Sequence, residues 1–145
     1  MKINIKVILY LYFIMSVFTN AIGSENFFEK GLKLFNDKKY EDAKFMFERS
    51  IVFNPKDSNS YLYLAKIFNQ QEDQNQEEKN LDATLLIEPN NEEAILMLMK
   101  IGLDKSNYSK VKELSKTFTK VCKNLCKENQ DILDTLENIE PKNES

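Results

Sequence analysis

The stretch "SIVFNPKDSNSYLYLAKIF", residues 50–68, decides how this chain folds. An apolar run ends at Asn54-Pro55, the polar "KDSNS" follows, and a second apolar run opens at Tyr61. Proline cannot donate the next helical hydrogen bond, so a helix arriving at Pro55 must stop there. The next proline after an apolar run is Pro89, in "LLIEPNNEEAILMLMKI", 34 residues further on. Cut at that period, the chain gives units 24–57, 58–91 and 92–125, and the same residue types recur at the same offsets. Phe27, Tyr61 and Ile95 fall at the start of each unit's first helix; Gly31, Ala65 and Met99 follow four residues later. Tyr40 pairs with Tyr108, Ala43 with Val111, and Phe47 with Leu81. Each unit therefore holds two helix-length patterns with apolar residues at i, i+3, i+4 and i+7, joined by a short polar turn.

This pattern resembles the tetratricopeptide repeat (TPR) family, whose 34-residue helix–turn–helix unit carries an aromatic, a small residue, a second aromatic, Ala, Phe and a closing Pro. Residues 24–57 match through Phe27, Gly31, Tyr40, Ala43, Phe47 and Pro55. Residues 58–91 match through Tyr61, Leu64, Ala65, Leu81 and Pro89, and residues 92–125 keep Leu98 and Tyr108 but have Lys123 where Pro would fall. The resemblance implies an all-α solenoid of about three αα-hairpins. Small Gly31 and Ala65 would let paired helices approach, while Phe27, Leu34, Phe47 and Ile51 fill the seams. A solenoid must cover its last apolar face. Leu125 with Ile132, Leu136 and Ile139 of "DILDTLENI" forms one stripe, which predicts a capping helix over 126–140, with 141–145 as a tail.

Three departures stand out. Gln74 and Glu77 replace Tyr and Ala in the second unit, which predicts a solvated or frayed first turn of that helix. Asp73 with Gln76 nevertheless has capping-box spacing there. Gly102 replaces a bulky residue in the third unit and predicts a thin seam.

In the TPR family the first helices of successive hairpins line a concave groove that holds a peptide or a partner's helix. Carried over by register, the groove positions are Phe28, Leu32 and Phe35, then Leu62, Tyr63, Lys66 and Asn69, then Leu96, Met97 and Lys100. Lys66 and Lys100 share an offset and, with Asn69 and Gln70, are expected to hydrogen-bond an extended or acidic segment. The lysine-rich clamp by which some TPR domains hold a C-terminal carboxylate is not expected, because its offsets carry Phe28, Leu32, Tyr63, Glu93 and Met97. The resemblance thus implies a non-catalytic adaptor whose partner is another protein.

The N-terminus reads differently. Lys2 and Lys6 precede the apolar run "VILYLYFIMSVF", and Ala21 and Gly23 stand at positions −3 and −1 of a cleavage site. This is the three-part pattern of a secretory signal over residues 1–23. Retention would make the same segment an N-terminal anchor in the inner membrane. No Cys lies nearby, so a lipoprotein anchor is excluded. An exported bacterial protein of the cell envelope, in the periplasm, is the expectation.

Composition narrows the chemistry. The chain of 145 residues has no His, three Gly, three Pro and a net charge of −3. Residues 1–23 carry two Lys and no acid, so their removal takes −3 to −5. An acidic chain without a basic cluster is repelled by phosphate backbones, and nucleic acid is excluded as a partner. The acidic pairs Glu41/Asp42, Glu77/Glu78 and Glu92/Glu93 have no His, phosphate loop or nucleophile–base arrangement beside them, so neither an enzyme nor a cofactor is expected.

Cys122 and Cys126 lie four apart where the third unit meets the capping helix. Export makes a disulfide the expected state of an even pair. The same spacing with Met97 and Met99 leaves open a soft-metal site for Cu(I) or a thiol-redox role, and reduced buried thiols are the third reading.

Overall fold

A computed structural model describes residues 26–139. The expected leader, 1–23, and tail, 141–145, lie outside the described residues. Seven helices follow one another: α1 (Phe27–Asn36), α2 (Tyr40–Phe53), α3 (Ser58–Gln70), α4 (Gln74–Ile87), α5 (Glu92–Asp104), α6 (Tyr108–Val121) and α7 (Cys126–Ile139). The chain is all-α across the described residues. Helices α1/α2, α3/α4 and α5/α6 pair as antiparallel hairpins, each hairpin packs on the next, and α7 lies against α5 and α6.

The repeat is written most plainly in the turns. Lys38, Glu72 and Ser106 are the described non-glycine residues with positive φ, at 60°, 59° and 54°. They fall one repeat apart. Around each, two hydrogen bonds close a Schellman motif: the Lys38 and Lys39 amides donate to the Phe35 and Leu34 carbonyls, at 2.9 Å each. Glu72 and Asp73 donate to Asn69 and Phe68, and Ser106 and Asn107 to Leu103 and Gly102. Glycine usually takes this left-handed position because it has no Cβ to strain. Here Lys, Glu and Ser hold it, so the sequence carried no glycine signal for the turn. The residue after two of them caps the next helix at once: Asp73 accepts from the Gln76 amide (3.1 Å) and Asn107 from the Lys110 amide (3.2 Å). Asn26, Asp57 and Asn91 cap α1, α3 and α5 in the same way.

The second helices end where proline dictates. α2 stops at Phe53 and α4 at Ile87, with Asn54 and Glu88 as C-caps before Pro55 and Pro89. α6 stops at the equivalent place, Val121, although Lys123 stands where proline would be.

The core runs along the stack as three clusters, one per seam, as expected when each hairpin contacts only its neighbours. The first joins Ala43, Phe47, Leu64 and Ile67; the second Leu62, Ala65, Leu81, Ala94, Leu98 and Ile101. The third joins Ile95, Met99, Val111 and Phe118 to Ile132 and Leu136 of α7. Ile132 and Leu136 therefore cover the last apolar face; Leu125 is half-buried beside them, whereas Ile139 is exposed.

Two expectations need correction. The third seam is not thin. A Cβ on Gly102 would lie 2.7 Å from Val111 Cγ2, so this glycine is where α5 and α6 approach, with buried Met99 filling the site that Gly31 and Ala65 occupy elsewhere. Nor is the start of α4 solvated throughout: Glu77 is only 5% exposed, inside a helix capped by Asp73.

Candidate functional site

The first helices of the hairpins, α1, α3 and α5, supply one continuous face. At its α1–α3 end an aromatic group forms around Tyr63. The Tyr63 ring lies edge-on to Phe35 (centroids 5.1 Å apart) and Phe28 (5.8 Å) and stacks on Phe47 (5.3 Å). Phe35 in turn meets Tyr40 edge-on at 5.5 Å. Offset and edge contacts of this kind add to the burial of the rings. Phe28 and Phe35 of α1 thus pack on Tyr63 of the next hairpin.

Lys66 Nζ sits 4.5 Å above the Tyr63 ring and 2.8 Å from Glu93 Oε2 of α5. Its charge is thus shared between a ring and a carboxylate. Beside this pair opens a cleft of about 330 Å³ lined by Phe35, Tyr40, Lys66, Asn69, Gln70, Glu93 and Met97. A second cleft of about 330 Å³ continues toward the α3–α4 turn, lined by Asn69, Glu72, Gln74, Glu77, Met97, Lys100, Ile101 and Asp104. Asn69 and Met97 border both, so the two clefts adjoin along one face, a channel lined from α1 to α5.

At the floor of the second cleft Glu77 accepts from Asn69 Nδ2 (3.1 Å). Desolvation pushes its carboxyl above the ordinary carboxylate range; the Asn69 bond opposes this, the nearby Asp104 charge adds to it, and the Lys105 charge opposes it. Behind the cleft Glu78 bridges Lys105 (2.6 Å) and Lys110 (2.7 Å), which hold its carboxyl below the ordinary range and tie α4 to the α5–α6 turn and the first turn of α6.

Of the residues carried over by register, the structure brings Phe35, Lys66, Asn69, Met97 and Lys100 to this channel. Phe28 and Tyr63 form the aromatic wall next to it, and Leu32 is half-buried on α1. Leu62 and Leu96 do not face it. They are 5% and 6% exposed and sit in the second and third seam clusters. Register alone could not tell them from groove positions, because each is a leucine at the margin between two apolar faces. The channel also includes Tyr40, Glu72, Glu77 and Asp104, which register did not select; the unusual Glu77 was the one available signal.

Cys122 and Cys126 are joined as a disulfide with Cα atoms 5.3 Å apart. Met99 is fully buried in the third cluster and Met97 lies in the channel. No group of three or more His, Cys, Asp or Glu able to hold a metal occurs among the described residues. The loop around the disulfide is held from a second direction. Both oxygens of Glu92, in the first turn of α5, accept the amides of Lys123 (2.9 Å), Asn124 (3.1 Å) and Leu125 (2.9 Å). Disulfide and carboxylate together fix the turn that proline fixes in the first two units.

These three bonds, that from Leu125 foremost, hold the Glu92 carboxyl below its ordinary range. A lowered folded value means that the contribution is present above the unfolded value and is lost as pH falls through the folded one. Glu92→Gln is therefore expected to flatten the acid limb of the stability–pH curve. It should also reduce hydrogen-exchange protection at Lys123, Asn124 and Leu125 severalfold while leaving α1–α4 unchanged. Unaltered exchange at those amides would show that the disulfide alone holds the turn.

No family model and no curated protein matches the sequence. Solved structures do match the fold. The Yersinia enterocolitica type III secretion chaperone SycD, in complex with a peptide of the translocator YopD, aligns with a TM-score of 0.72 at 16% identity, over 82% of this chain and 98% of that one. The first TPR of Spaghetti (RPAP3), bound to an HSP90 peptide, aligns at 0.70 and 14% identity, over 82% and 96%. The Sgt2 TPR domain from Aspergillus fumigatus aligns at 0.64 and 13% identity, over 84% and 87%. With its left-handed turns one repeat apart and its serial core, this chain has the tetratricopeptide-repeat fold.

Proposed function

We propose that the protein is a non-catalytic adaptor that docks a segment of another protein in the channel along α1, α3 and α5. The observation that carries this reading is the channel itself: two clefts that meet at Asn69 and Met97, walled by aromatic rings and lined with amide and charged side chains. Pockets for side chains next to hydrogen-bonding groups are what peptide recognition uses. The likeness to structures solved with peptides, of YopD and of HSP90, supports a peptide-binding role.

In-cell photo-crosslinking tests it. A crosslinkable residue at Gln70 or Lys100, both exposed on the channel, is expected to give a discrete protein adduct, while one at Glu48, exposed on α2, gives none. Adducts at Glu48 alone, or at no position, would remove the reading.

We further propose that the chain is exported, with residues 1–23 as its leader. The Cys122–Cys126 disulfide supports an oxidising compartment such as the periplasm. No helix among the described residues is long and apolar enough to cross a membrane. Intact mass of the protein from its own cells is expected to show a chain beginning near Ser24; a full-length mass would point instead to a tethered adaptor.

A further inference from the structure

The channel's charge runs opposite to what its lysines suggest in the sequence. We infer that it takes an extended segment bearing a Lys or Arg about two or four residues from an apolar side chain: the apolar group against Phe35, Tyr40 and Met97, the cation among Glu72, Glu77 and Asp104. The inference rests on the adaptor reading above and names the chemistry of its partner.

Lys66 is spoken for by Glu93 and the Tyr63 ring. In the second cleft three carboxylates, Glu72, Glu77 and Asp104, then stand against Lys100 alone among its lining residues. Lys105, the next cation along the turn, is bonded to Glu78. An acidic segment would bring like charge onto these groups, which interfaces strongly disfavour. A cation would instead relieve Glu77, whose buried carboxylate has Asn69 as its hydrogen-bond donor. Burial, the first cause of its raised pKa, outweighs both the Asn69 bond and the attraction of Lys105.

The other end of the channel is chemically different. Phe35 and Tyr40 meet edge-on, and half-buried Met97 stands opposite them, a side chain that adapts its shape to what it meets. Because Asn69 and Met97 border both clefts, the aromatic and acidic ends adjoin and lie within reach of one ligand. Met97 borders both ends, and successive side chains of an extended chain point to opposite faces, so an apolar and a basic side chain that enter together stand about two or four residues apart.

The test is selection of a displayed library of random dodecapeptides on the full chain, followed by fluorescence anisotropy with single synthetic peptides. Glu72 and Asp104 are exposed, so Glu72→Gln/Asp104→Asn and Glu72→Lys/Asp104→Lys leave the packing alone. Recovered peptides are expected to carry Lys or Arg about two or four positions from an aromatic or aliphatic residue. Neutralisation should weaken them about tenfold, and added salt should weaken them for the native chain. The charge-reversed chain should prefer twins with Glu in place of the basic residue.

A crosslinker at Gln70 separates the two readings. Peptides that crosslink from Gln70 but are acidic, or bind equally to native and neutralised chains, would overturn the charge inference and leave the groove. Peptides that do not crosslink from Gln70, or no recovered peptides, would overturn both.

Discussion

Phe47→Ala is expected to destabilise the chain by about 3–5 kcal/mol, the usual cost of emptying a fully buried aromatic site. Phe47 is wholly buried and is the knot of the first hairpin. Its ring edge lies where a Cβ on Gly31 would be, with Cε1 at 2.7 Å, so α1 packs directly onto it. Phe28 tilts against it and Tyr63 of the next hairpin stacks on it. Removing the ring therefore loosens α1 and α2 together and withdraws support from the aromatic wall of the channel. Small domains have only about 5–15 kcal/mol in hand, so urea denaturation should show α1–α2 melting early or the whole chain shifting. Phe45→Ala, on the same helix but exposed, is the control and should change stability by less than about 0.5 kcal/mol. Equal effects at the two positions would contradict the packing described here.

Gly102→Leu is the second large effect, and here the family pattern and the structure predict opposite signs. By pattern the position wants a bulky residue, so leucine should fill a gap and stabilise. By structure, even its first carbon meets Val111 Cγ2 at 2.7 Å, and the rest has nowhere to go without parting α5 from α6. Overpacking of this kind costs about 1–3 kcal/mol, and we expect the upper part of that range because Val111 is itself fully buried. The damage should fall on the third cluster, exposing Ile132 and Leu136 of α7, and should appear as lost exchange protection in α5–α7 with α1–α2 spared. The double variant Gly102→Leu/Val111→Ala should recover part of the loss, since the two sites share one contact. A more stable Gly102→Leu chain would mean that the seam has room.

Much of the architecture could be read from the residues. Two prolines one repeat apart and apolar residues at helical spacing state where helices end and which stripe is buried, because both effects act within a few residues along the chain. Phe47, Leu81, Val111, Ile132 and Leu136 were legible for that reason. The turns were legible in place but not in kind. Lys38, Glu72 and Ser106 adopt a left-handed conformation that none of them prefers, which the flanking hairpins impose.

The channel was only half legible. Register found Phe35, Lys66, Asn69, Met97 and Lys100, since a helix carries its face every three or four residues. It could not say that Leu62 and Leu96 turn into a seam, that Lys66 is matched by Glu93 of another hairpin, or that Glu77 is buried at the cleft floor. Each of these depends on groups about 30 residues away or on how closely two hairpins stack, and no local pattern encodes either. By itself the sequence determined the helices, their order and the repeat, because propensity, proline and periodicity are local. The sign of the channel's charge, the closeness of α5 to α6 and the three-amide hold of Glu92 on the last turn were decided only by the tertiary structure, because each is set by the distance between side chains that only packing brings together.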